Sequence, residues 1–156
     1  MEVGQKIIGR FEPLGKFAQS LGKGFAPKVS VAVGNDSTWH AGDSRIPAIA
    51  MQNLTALVDT GSDVSRIDLE MAHRLGLKQV GELPSSFTGI VAKTPIFGVQ
   101  LVFLEARFVV GGEVTAISLR AQDNFHDVIL GWDVLQYFDL RICSKKQTVE
   151  MIFVGF

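Results

Sequence analysis

Leu57-Val58-Asp59-Thr60-Gly61-Ser62-Asp63 carries an apolar run onto a carboxylate and then turns at once into small polar residues. The run before it, Leu54 to Val58, has the length and composition of a buried strand. With Pro47 to Ala50 on the other side of Gln52-Asn53, it predicts a hairpin that delivers Asp59 at a strand end. A carboxylate there sits in a loop held by a rigid scaffold, the usual home of catalytic groups. Asp-Thr-Gly alone is a short motif, and a turn whose carboxylate bonds nearby amides explains it as well.

Working outward, Asp68 is placed to cap a helix from Leu69 to Leu75, with Met71 and Leu75 one turn apart and Gly76 as its stop. Phe87 to Ala92, Ile96 to Leu104, Ala106 to Val110 and Val114 to Leu119 read as strands, and Gly111-Gly112 as a hairpin turn between the last two. Asp127 to Leu130 is a buried strand, after which Asp133 is expected to cap a helical turn from Val134 to Phe138. Asp139 to Ile142 and Thr148 to Phe153 complete the strands. Upstream, the alternating Val29 to Val33 stretch is a strand that turns at Gly34-Asn35-Asp36. Residues 1–27, punctuated by Gly4, Gly9, Gly15, Gly22 and Gly24, are expected to form a loosely structured N-terminal arm, with a single domain over 28–156. The sum is mainly β with two small helices.

The totals narrow the function. A chain of 156 residues with net charge -1 lacks the broad positive field that phosphate backbones require, which argues against nucleic acid as a partner. The single Cys143 cannot form an intramolecular disulfide and suits a reducing compartment. The longest apolar stretch, Val99 to Val110, is broken by Glu105 and Arg107, so no membrane span is expected. Residues 1–28 hold no signal-peptide core, and a cytoplasmic location follows as an expectation. His40, His73 and His126 are scattered, giving no metal site, and no motif asks for a cofactor. No Gly-x-Ser-x-Gly elbow or Lys-bearing phosphate loop is present. Trp39 and Trp132 read as core anchors.

Two segments together resemble the retropepsin-like aspartic protease family. The first is Ala56 to Asp63, followed by Ile67 and a helix ending Arg74-Leu75-Gly76-Leu77; the second is Asp127-Val128-Ile129-Leu130-Gly131-Trp132-Asp133-Val134-Leu135. The resemblance covers Pro47 to Met151 and implies a retropepsin-like closed β-barrel with one or two short helices and an active site at a dimer interface. It implies that Asp59 is catalytic, that Thr60 braces the subunits, and that Gly61 offers its backbone to bound peptide. Ser62 and Asp63 would line the cleft, and a flap near Thr88 to Lys93 would bring Gly89, Ile90 and Val91 to the substrate. Gly131 would let its strand pack closely on the catalytic loop. Trp132 stands where retroviral members carry an Arg that pairs with an acid, leaving Asp63 without that partner.

Hydrolysing an amide with water needs both a base and an acid. One Asp-Thr-Gly supplies one carboxylate, and Asp36-Ser37-Thr38 and Asp43-Ser44-Arg45 lack the following glycine. The second carboxylate is therefore expected from another copy related by a two-fold axis, the pair sharing a proton as aspartic-protease dyads are known to. The expected function is an aspartic endopeptidase acting as a homodimer on peptide or protein substrates. Its alternative is a catalytically silent retropepsin-like module for dimerisation or peptide binding. The apolar segment Thr148 to Phe156 is expected in or beneath the dimer interface.

Overall fold

Strand pairing, not helix packing, organises the chain, which is described by a computed structural model for residues 3–87 and 90–155, the side chains of 85–92 excepted. The strands are β1 (Lys6–Pro13), β2 (Phe25–Gly34), β3 (Ile49–Val58), β4 (Arg66–Asp68), β5 (Gln79–Phe87), β6 (Ile90–Phe103), β7 (Phe108–Ile117), β8 (Val128–Leu130), β9 (Phe138–Cys143) and β10 (Thr148–Phe153). Helices α1 (Lys16–Leu21), α2 (Leu69–Arg74) and α3 (Trp132–Leu135) are short, and single 3-10 turns occupy Leu104–Ala106 and Arg120–Gln122. One ten-stranded sheet runs β5-β6-β7-β4-β8-β3-β2-β1-β10-β9. A further pairing, Ala32 to Val102 and Gly34 to Gln100, joins β2 back to β6 and closes β2, β3, β8, β4, β7 and β6 into a ring.

The ring is built by alternation. Along β2, Val29, Val31 and Val33 turn inward, and on its neighbour Leu54, Ala56 and Val58 meet them. Phe103, Phe108, Phe138 and Phe153 fill one end, with neighbouring ring centroids 5.0 to 6.0 Å apart. Each such side chain removed from water contributes about 1.5–3 kcal/mol before the entropy of ordering is subtracted.

Several local expectations change. The segment read as a loose arm contains β1, whose Ile7 is buried and whose residues pair with both β10 and β2. Its helix α1 makes three short helices where two were expected. Residues 47–58 make no hairpin: β3 is continuous, and Asn53, with φ 60°, sits where the register to β2 shifts. Asparagine tolerates that left-handed conformation, so its polar signal marks a bulge. Gly111-Gly112 is likewise no turn but the interior of β7, opposite Gln100 and Val99. A Cβ on Gly111 would come within 2.6 Å of the Trp39 ring, so the glycine admits a neighbour. Finally, β10 is enclosed between β1 and β9, with Val149, Met151 and Phe153 in the core. These three side chains are covered within the chain, whereas Ile152 is half-buried and Val154 just beyond the strand is exposed.

Candidate active site

The run that ends at Asp59 is held from the side. Strand β3 pairs in parallel with β8, Ala56 opposite Val128 and Val58 opposite Leu130. The Asp59 amide extends that ladder by donating to the Leu130 carbonyl at 3.1 Å. The chain then turns, the Ser62 amide donating to the Asp59 carbonyl at 3.2 Å. In the same turn the Gly61 amide donates to Asp59 Oδ1 at 2.9 Å. Asp59 is half-buried, whereas Thr60, Gly61 and Asp63 are exposed. Among the described residues, the Gly61 amide is the one donor to the carboxylate, which keeps acceptor capacity for a water.

The turn is fastened to the segment after β8. A Cβ on Gly131 would lie 2.6 Å from the Val64 carbonyl carbon and 2.8 Å from the Ser62 oxygen, so only glycine allows the two backbones to touch. The expected close approach is thus present. The Trp132 amide donates to the Ser62 carbonyl at 2.9 Å, and the Asp133 amide to the Asp63 carbonyl at 3.2 Å. The hydroxyl of Ser62, expected in the cleft, is buried and donates to the Val64 carbonyl at 2.9 Å. Asp133 is not the cap of the following helix; Gly131 holds that position. Its carboxylate instead accepts from the amide and hydroxyl of buried Ser65, whose Oγ in turn accepts from the Gly131 amide at 3.0 Å. Trp132 is 44% exposed, so it is not a core anchor; its indole nitrogen donates to the Thr60 carbonyl at 2.8 Å.

Of the expected substrate contacts, Ile90 and Val91 begin β6 opposite Phe87 and Ser86, which puts them on a β5–β6 hairpin. Gly89 and Thr88 lie outside the described residues.

A second polar layer frames β3 and β8 from behind. The Asp127 carboxylate accepts from the Thr55 amide at 2.9 Å and from Arg120 Nε at 2.8 Å. Asp68 caps α2 through the Met71 amide, as expected, and also takes the amides of Leu119 and Arg120. Lys28 is buried and donates to the carbonyls of Pro13 and Phe125; burial lowers its pKa. His126 is buried with Nδ1 unpartnered. Burial first, then the charges of Lys28 and Arg120, push it down to about 4 against the pull of Asp127 and Asp59. Apart from the Asp68 cap, no local signal in the sequence marks these roles, because each depends on partners brought together by the ring.

Residues 47–134 match a family model described as aspartyl protease. Among solved structures, a retropepsin-like aspartic protease from Rickettsia conorii superimposes with a TM-score of 0.55 at 17% identity, over 99% of this chain and 95% of that one. Two weaker similarities are to an inhibitor-bound EIAV protease, with TM-score 0.41, 19% identity and coverages of 71% and 86%, and to the retroviral protease-like domain of Ddi1 from Leishmania major, with 0.43, 15%, 81% and 93%. The likeness of fold rests on the first. No curated protein matches. Among the described residues no helix is long and apolar enough to cross a membrane.

Proposed function

Since the chain belongs to the aspartyl protease family and has a retropepsin-like fold, we propose that it is an endopeptidase working as a homodimer, with Asp59 of each subunit facing the other across a two-fold axis. The observation that carries the reading is the setting of Asp59: a half-buried carboxylate at a strand end, held by one amide in a turn that glycine packing and side-chain bonds make rigid. One carboxylate of the pair takes a proton from water as the oxygen attacks the peptide carbonyl. The other gives its proton to the carbonyl oxygen, and collapse of the diol transfers a proton to the departing amine. Exposed Thr60 is assigned to the subunit contact, exposed Gly61 and Asp63 to the cleft, and Gly89, Ile90 and Val91 to a hairpin closing over an extended peptide. No cofactor enters these steps. The lone Cys143 favours a reducing compartment such as the cytoplasm.

Asp59→Asn tests the reading, since a neutral amide cannot accept the proton of water. Cleavage of a denatured protein should fall at least about 10²-fold, with folding and self-association retained. Unchanged cleavage would end the proposal, and a wild-type protein that binds peptides without cutting them would leave the silent module in its place.

A further inference from the structure

Trp132 and Gly61 act on opposite ends of one amide. The Thr60 carbonyl and the Gly61 N–H belong to the same planar peptide unit. Trp132 Nε1 donates to its oxygen at 2.8 Å, and its N–H donates to Asp59 Oδ1 at 2.9 Å. We propose that Trp132 is a positioning residue for the reaction, which orients and polarises the Thr60–Gly61 peptide so that its N–H holds the Asp59 carboxylate in the attacking geometry. The inference rests on Asp59 being the reacting group.

A peptide unit in an exposed turn is free to rotate about its flanking bonds. Here both ends are engaged, and rotation breaks both bonds at once. The backbone that carries the indole is fixed, because the Trp132 amide donates to the Ser62 carbonyl and Gly131 lies against Val64. The chain indole to carbonyl to amide to carboxylate is a series in which each bond polarises the next, by about 10–30% per bond. An N–H made a better donor favours the charged form of the carboxylate it faces. Within the single chain Trp132 is 44% exposed, and the contact that ties its indole to this turn is made by the polar nitrogen.

The test reads the pH titration of the Gly61 amide proton by NMR, which reports protonation of Asp59 whether or not the protein cuts anything. In Trp132→Phe the midpoint should move up by about 0.3 pH unit or more, because a weaker donor makes the carboxylate easier to protonate. In the same variant kcat should fall with KM unchanged, and the acid limb of the activity profile should move with the amide. Benzothienylalanine placed at position 132 keeps the ring shape and removes only the donor, so it decides the matter if the Phe variant folds poorly. A midpoint that stays at the wild-type value in the benzothienylalanine protein overturns the proposal, even if activity falls. A shifted midpoint in a protein that never cleaves peptides supports the role of Trp132 and defeats the peptidase reading separately.

Discussion

Ser65 donates twice to Asp133, through its amide at 2.9 Å and its hydroxyl at 2.6 Å, so both oxygens of that carboxylate are held by one fully buried serine. The same hydroxyl accepts from Gly131, which makes Ser65 the knot between the turn after Asp59 and the segment after β8.

Ser65→Ala should therefore destabilise the protein by about 2–3 kcal/mol, since it leaves the Gly131 amide and an Asp133 oxygen without a buried partner. Urea unfolding at constant m-value measures this. A loss under about 0.5 kcal/mol would place the serine among surface residues in energetic terms.

Gly131→Ala should cost at least about 1–3 kcal/mol, because the new methyl meets Val64 backbone at 2.6 Å and neither backbone segment can retreat cheaply. Gly112→Ala, whose methyl meets nothing within 4 Å, is the control and should leave the thermal midpoint nearly unchanged. Equal shifts for the two would refute the steric account.

Mixing tests the shared dyad. Equal amounts of wild type and Asp59→Asn, unfolded and refolded together, should yield about a quarter of dimers with two native carboxylates under two-fold pairing. Activity should drop to about half that of the same wild-type mass refolded alone. Activity proportional to wild-type chains, with exchange verified by mass spectrometry, would assign the reaction to single subunits.

His126 sets an acid dependence of stability. Its pKa falls from 6.5 to about 4 in the folded protein, so between those values the unfolded chain binds a proton that the native protein does not. Stability should decline as pH falls through that window and the His126 contribution level off below it. Urea midpoints from pH 7 to 4 should fall less steeply in His126→Phe; parallel curves would exonerate the histidine.

The signals legible in the sequence were those whose partners are close by or whose period is regular. The Asp59 strand, the Asp68 cap and the buried β8 strand are of this kind, whereas the close approach at Gly131 is implied by the family resemblance and by no local signal. The misread positions share a cause. Asn53, Gly111 and Gly112 are local turn formers, and across the sheet they meet a register shift or the Trp39 ring, which converts a turn signal into a bulge or a notch. Ser65 and Asp133 are 68 residues apart, and Lys28 lies 97 residues from Phe125. No window along the chain can pair such groups. Trp132 has the apolar character of a core residue, but its nitrogen is the part that the site engages.

Because β1 pairs with β10 from Lys6–Ile152 to Arg10–Thr148, β1 leaves the ribosome well before the strand that completes its ladder. At about 5–20 residues per second, that leaves the Ile7-Ile8 stretch without its β10 partner for roughly 7–30 s of synthesis. Closure of the ring through Ala32–Val102 waits on chain made well after β2. The nascent protein therefore passes through a period with open strand edges and no finished core, and its yield in a cell depends on what shelters those edges until β10 has emerged.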